Sequence, residues 1–315
     1  MPDSAVRTFS DPDDYAASIR AAQVEATVTG RGQFTAKLTR IDFHRLWMQR
    51  FSSNPPPMLD VALITGRAIV EFRTASGPGL LAGGLELSPT NILRHSLADS
   101  FYKRSSESGS FETMSLPVED MVSVGEVLAG GDLTPPPDAM LIAPPPAAMA
   151  RLQRLHAAAG HLAEDVPEIL AHPEAARGLE QALIEAMVDC LVEGTADEDR
   201  AAQRRHSLIM RRFRRAVEEN PDRVLYIPEL AAAIGVSSST LRICCQEHLG
   251  MSPKRYLILH RMHLARRALR DSAPGMTTVT DIATRYGFWE LGRFAVEYGS
   301  LFGEPPSATL RREQE

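Results

Sequence analysis

The last third of this chain repeats itself, and that repeat limits what the chain can fold into. Ile227-Pro228-Glu229-Leu230-Ala231-Ala232-Ala233-Ile234-Gly235-Val236 returns 52 residues later as Val279-Thr280-Asp281-Ile282-Ala283-Thr284-Arg285-Tyr286-Gly287-Phe288. Both segments read apolar-x-x-apolar-Ala-x-x-apolar-Gly-apolar. The second copy then gains one residue. Leu241 and Cys245 correspond to Phe294 and Tyr298 at an offset of 53, and Leu249-Gly250 with Pro253 corresponds to Phe302-Gly303 with Pro306. The spacing predicts two helix-turn-helix units. The small Ala231 and Ala283 let two helices approach closely. Gly235 and Gly287 stand where the first helix must stop, a position that favours positive φ. Ser237 can cap the helix that follows. Leu241 and Cys245, four apart, seat that helix and leave its opposite side free, as Phe294 and Tyr298 do in the second unit.

Between the units, Ile258, Met262, Ala265 and Leu269 mark the buried face of a helix from Ser252 to Ser272, with Ser252-Pro253 as cap and first-turn residue. Such a helix spans roughly 30 Å. Successive major-groove faces on one side of B-DNA lie about 34 Å apart. The connector is thus long enough to hold two recognition helices in adjacent major grooves.

The same residues carry a resemblance. Leu230-Ala231 through Gly235-Val236-Ser237, Thr240-Leu241 and His248-Leu249-Gly250-Met251-Ser252-Pro253 belong to it, as do Arg261 and Ala265-Arg266. So do Thr280-Asp281-Ile282-Ala283, Tyr286-Gly287-Phe288, Gly292-Arg293-Phe294 and Phe302-Gly303-Glu304-Pro305-Pro306-Ser307. From about His206 to Arg312 the chain resembles the DNA-binding domain of the AraC/XylS family of bacterial transcription regulators. The resemblance implies a first recognition helix from about Ser238 to His248, with Ser239, Arg242 and Ile243 facing bases. It implies a second from about Glu290 to Leu301, with Gly292, Arg293 and Val296 facing bases. A guanidinium can bond guanine O6 and N7 together, which favours Arg242 and Arg293 as readers. Lys254, Arg255, Arg261 and Arg266 become candidate phosphate contacts. Gly235, Ser237, Gly287 and Trp289 become the turn residues. The chain departs from the family at Ile243, often basic there, and at Cys245, often aromatic. Trp289 is either a core plug or a packing group against sugar-phosphate, and the core role is the expectation. Glu297 would repel phosphates and is expected to point away.

The rest of the chain resembles the family's plan loosely: a cupin-type β-barrel sensor, then helices that dimerise. Its residues agree in outline. The first 20 are polar and Asp-rich, and predict a loose arm. From Arg31 to about Asp132, Phe34, Ala36 and Leu38 alternate with polar residues, as do Leu59, Val61 and Leu63, followed by Ile69-Val70-Glu71-Phe72. Gly66, Gly77-Pro78-Gly79 and Gly83-Gly84 punctuate them, which predicts a sandwich or small barrel. Pro135-Pro136-Pro137 and Pro144-Pro145-Pro146 cannot sit in central strands and mark the exit. Leu152, Leu155, Ala159 and Leu162, then Leu179, Leu183, Ala186 and Cys190 after the break at Pro167, predict an αα-hairpin. Its apolar faces either cover the β-domain or pair two copies. Residues 194–199 form a polar linker. The expected fold is α+β: a β-rich regulatory domain over 1–146, a helical linker or dimerisation region over 147–199, and an all-α DNA-binding domain over 206–315.

Charge agrees with this division. Residues 206–315 hold 16 Lys+Arg against 12 Asp+Glu, whereas residues 1–205 hold 18 against 28. A basic third on an acidic chain suggests that only that third meets a polyanion. Within it, Arg211-Arg212-Phe213-Arg214-Arg215 is either a solvated basic face or a phosphate contact. Three cysteines cannot form a disulfide framework, and the N-terminus has no basic-then-apolar signal, so a reducing cytoplasm is expected. No apolar run is long enough to span a membrane. Adjacent Cys244-Cys245 have no nearby Cys or His to complete a zinc spacing and read as small packing residues. His260 and His263 read as partly exposed helix residues. The β region holds only His44 and His95, against the His-x-His of metal-using cupins, and no hydrolase, phosphate-loop or zinc-protease motif occurs. The expectation is therefore a regulator without catalytic residues, metal or cofactor. Its partners are double-stranded promoter DNA and, by resemblance, RNA polymerase and a second copy of itself, with a small-molecule effector where one exists. Activator is the family default. The alternative is a cupin-type enzyme fused to a DNA-binding module.

Overall fold

The structure is a computed structural model that describes residues 3–74, 79–97, 99–105, 109–196, 201–220, 223–272 and 276–311. Gly77-Pro78, residues 197–199 of the expected linker and Arg312 lie outside the described residues. The chain begins with β1 (Asp3–Phe9), α1 (Pro12–Ala17), β2 (Ala22–Thr27), β3 (Thr35–Asp42), β4 (Trp47–Asn54), β5 (Met58–Leu63) and β6 (Arg67–Phe72). There follow β7 (Leu80–Ala82), β8 (Leu85–Leu87), β9 (Ile92–Arg94), β10 (Ser100–Ser105), β11 (Gly109–Pro117), α2 (Val118–Ala129) and β12 (Met140–Ala143). Then come α3 (Pro146–Asp165), α4 (Pro167–Ala171), α5 (Pro173–Glu193), the short β13 (Thr195–Ala196) and α6 (Ala201–Glu218). The remainder is helical: α7 (Ile227–Ala233), α8 (Ser238–Leu249), α9 (Pro253–Asp271), α10 (Val279–Arg285), α11 (Leu291–Phe302) and α12 (Pro306–Arg311).

The strands form two antiparallel sheets, in the orders β1-β3-β4-β11-β6-β9-β12-β13 and β2-β5-β10-β7-β8. Strand alternation explains how the larger sheet is buried on both faces. Leu38, Phe51 and Phe111 face Leu59, Val61 and Phe101 of the smaller sheet in one core. Met48, Val70, Phe72, Met114 and Leu116 point the other way, into a second core with Leu152, Ala159, Leu183, Ala186 and Cys190 of α3 and α5. The apolar faces of the hairpin therefore cover the β-domain, the first of the two alternatives its sequence left open. Any pairing between copies would have to use the solvent side.

The N-terminal residues are not a loose arm. β1 pairs with β3 along its length. Asp11 caps α1 by accepting from Asp13 N at 2.9 Å, and Tyr15 is buried. The reason for the difference lies far along the chain, on α9, where Arg266 is buried and ion-paired to Asp11, and to Asp13 at 3.2 Å. Arg270 reaches Asp11 at 2.8 Å and Arg267 reaches Glu25 at 3.1 Å. Burial pushes the Asp11 carboxyl up, but Arg266 and Arg270 outweigh it and hold the group below the usual carboxylate range.

The helical part packs directly on the sheets. Met58 and Tyr102 join the core of α6, α7 and α8, whereas Leu259, Met262, Ala265, Ile282, Phe294 and Tyr298 join the core between the sheets. His263 is buried and its Nε2 accepts from Val28 N at 3.0 Å. That overturns the expectation of a partly exposed helix residue, since the face it occupies meets β-domain backbone rather than water. No helix among the described residues is long and apolar enough to cross a membrane.

Candidate nucleic-acid interface

In the first unit α7 stops at a glycine with φ +76°, and Ser237 Oγ accepts from Thr240 N at 3.0 Å to start α8. Leu241, Cys244, Cys245 and Leu249 are buried beneath α8. Burial pushes the Cys245 thiol far above its ordinary value, which suits a packing role. Ser239, Arg242 and Ile243 stand exposed on the opposite side. Gln246, also exposed, completes the i, i+3, i+4, i+7 stripe with them. Sequence reasoning missed Gln246, although the same periodicity that selected Arg242 points to it.

In the second unit Thr278 and Asp281 form a capping box at the start of α10. Gly287 adopts φ +77°, and a Cβ there would lie 2.6 Å from Arg261 Nη1 and 2.7 Å from Val224. This glycine is thus required both by its backbone and by its neighbours. α11 has no side-chain cap at Glu290. Gly292, Arg293 and Val296 are exposed, Val296 at 73%. Arg293 Nε donates to Glu297 Oε1 at 2.8 Å, so Glu297 does not point away but occupies the expected reader. Trp289 is 78% exposed in the turn, which overturns the core expectation. The core beneath is already filled by Phe288, Phe294 and Tyr298 packed ring against ring.

The connector α9 starts at Ser252, whose Oγ accepts from Arg255 N at 3.3 Å. Its 19 residues make it about 28 Å long. Lys254 and Arg255 are exposed at its start. The other two phosphate candidates are placed differently. Arg266 is buried against Asp11 and Asp13 and does not face solvent. Arg261 donates to Tyr286 O at 3.2 Å and lies over the Phe288 ring, so it ties the second turn to α9. Both face partners inside the fold because α9 is wrapped on two sides. Of the earlier basic cluster, Arg211, Arg212 and Arg215 are exposed, Phe213 is buried, and Arg214 pairs with Asp60 and Glu218. Burial pushes the Asp60 carboxyl up to about 7 against the pull of Arg214.

Among the described residues no group of three or more His, Cys, Asp or Glu side chains could hold a metal ion. A buried cluster does occur between the sheets. Glu71 Oε2 lies 2.7 Å from Lys103 Nζ and 3.2 Å from His95 Nε2. Burial pushes the Glu71 carboxyl up, and Lys103 and His95 more than offset that.

A family model described as a helix-turn-helix domain matches residues 230–312. The XylDLEGF operon transcriptional activator of Pseudomonas putida is 38% identical over 96 residues, 30% of this chain and 30% of that protein. The probable thc operon regulatory protein of Rhodococcus erythropolis is 40% identical over 95 residues, 30% of this chain and 29% of that one. The chain thus matches less than a third of the length of these curated relatives. A solved structure of a probable AraC family transcriptional regulator from Rhodopseudomonas palustris is 36% identical, covering 34% of this chain and 98% of that chain, with a TM-score of 0.31. On the strength of its repeated C-terminal unit, residues 230–312 form a helix-turn-helix domain of the AraC/XylS type.

Proposed function

We propose that the protein binds promoter DNA sequence-specifically through both helix-turn-helix units, one recognition helix in each of two adjacent major-groove segments. One observation carries this reading: α8 and α11 each bury one side and expose the other, with Arg242 and Arg293 on the exposed sides, and a connector about 28 Å long joins the two units. Ser239, Ile243, Gln246, Gly292 and Val296 complete the two base-facing stripes, and Trp289 packs against the backbone at the second. Lys254 and Arg255 hold phosphates, which position the protein without reading sequence. The P. putida relatives are named transcriptional activators, and we carry that sign to this chain, with RNA polymerase as the further partner. The division at 1–146, 147–199 and 206–315 then separates a regulatory part, a helical part whose solvent side pairs two copies, and the reader, working in the cytoplasm. The sheets modulate the reader through the contacts that α6, α8 and α9 make with them. No observation favours a fused enzyme.

Genome-wide recovery of bound fragments from the source organism tests this. The expected result is a shared motif of two short elements about one helical turn apart. Recovery without any shared motif, with and without growth on varied carbon sources, would sink it.

A further inference from the structure

Between the smaller sheet and the helical part lies a cavity of about 340 Å³. Ala82, Leu85, Leu93 and Phe101 line it from the sheets, Met210 from α6 and His248 from α8. The cavities bordered by β-domain residues alone are far smaller, about 20 and 40 Å³. A dry apolar cavity of about 150 Å³ accommodates one benzene ring, so this one has room for a two-ring body.

One polar group on its wall is unfinished. His95 is buried, stacks on Phe101 at 4.7 Å and borders both the cavity and the space between the sheets. Its Nε2 faces Glu71 on the sheet side. The Glu71 carboxylate can only accept, so the His95 Nε2–H donates to it. Nδ1, the other ring nitrogen, is buried with no hydrogen-bond partner. A buried polar atom left unpaired is unfavourable, and a ligand hydroxyl paired with it gains what water cannot supply there.

We infer that this cavity is a binding site for a small hydroxylated aromatic compound, its ring body on the apolar walls and its O–H donating to His95 Nδ1. Such a ligand touches the sheets on one side and α6 and α8 on the other. It therefore stabilises this arrangement of the two parts in proportion to its preference for it. The inference extends the proposal that the sheets modulate the DNA reader, and rests on it only for what binding does.

The binding itself is measured on the full chain without DNA, so its failure is separate from a failure to bind DNA. The probe is 2-naphthol, followed by its own fluorescence and by calorimetry, against 2-methoxynaphthalene, which has the same rings and no donor. One-site binding of 2-naphthol is expected, about tenfold tighter than the methyl ether. His95→Phe, which keeps the stacking plane, is expected to equalise the two probes. Ser207→Trp is expected to abolish both, because Ser207 lies on α6 at the cavity wall and its indole would fill the space. Circular dichroism checks that each variant is folded. Absence of saturable 2-naphthol binding would overturn the inference, as would equal affinity for the two probes in the parent. Parental binding in a folded Ser207→Trp would place the ligand elsewhere and overturn it too.

Discussion

The two helix-turn-helix units share a sequence pattern and differ in how they are held. The first is seated on the β-domain. A Cβ on Gly84 would meet the His248 ring of α8 at 2.8 Å, and α8 packs on β10. Its recognition helix starts on a side-chain cap, and the Gly235 turn is open, with nothing within 4 Å of where a Cβ would stand. The second hangs on α9. Its recognition helix has no side-chain cap, its turn is closed around Arg261 and Val224, and its reader Arg293 is tied to Glu297. A repeat thus fixes the shape of two units while leaving their neighbours to decide what each can feel. The first meets the smaller sheet directly through α8, whereas the second joins the core of the sheets beside its connector.

The largest effect that would break this contrast is on the connector. Arg266→Ala leaves the buried Asp11 without its main partner and should cost about 3–5 kcal/mol, read from urea unfolding. A loss below about 1 kcal/mol would mean that α9 is not anchored there. Next come the two turns. Gly287→Ala should cost about 3 kcal/mol, because backbone strain and the clash with Arg261 add, whereas Gly235→Ala should cost about 1 kcal/mol from strain alone. Equal losses would erase the difference between the open and the closed turn.

Acid should then loosen the seats of both α8 and α9 on the sheets. Burial pushes His248 down to about 4 and His263 down to about 3. The unfolded chain, with histidine near 6.5, takes up these protons first. Stability is therefore full above pH 6.5 and falls as the pH drops from there toward about 4 for His248 and about 3 for His263. At pH 5 each ring should account for a loss of about 2 kcal/mol. His248→Leu should flatten the pH dependence of unfolding by one ring's share, and an unchanged slope would contradict its buried neutral state. The smallest effect concerns the readers. Arg242→Ala should relax base preference at one or two positions and cost about 1–3 kcal/mol in binding to the recovered motif. Arg293→Ala should cost less, because that guanidinium must first leave Glu297. Competition binding with single-base variants of the motif checks both, and a larger loss for Arg293 would reverse the contrast.

What the sequence made legible was local. The periodicities of Leu241 with Cys245 and of Phe294 with Tyr298 set the buried sides of both recognition helices. The alternation at Phe34, Ala36 and Leu38 and the spacing through α3 and α5 did the same for the sheets and the hairpin. What stayed hidden depends on partners distant in the chain. Arg266 shows a charge in sequence but not Asp11, which stands 255 residues earlier. The Asp-rich start looked loose for the same reason. The sequence favours a core role for Trp289 because large aromatic residues are mostly buried, and nothing local shows that Phe288, Phe294 and Tyr298 already fill that core.

That pairing of Arg266, Arg267 and Arg270 with N-terminal carboxylates has a consequence for ionic strength. The helical part contains 16 Lys and Arg, but these three already have anions for neighbours, and only cations still facing water can release counterions on meeting DNA. Each phosphate contact steepens the logarithmic salt dependence of affinity by about 0.9. With so much charge neutralised internally, that dependence should be shallow for so basic a segment, and nonspecific DNA would compete weakly with the true site.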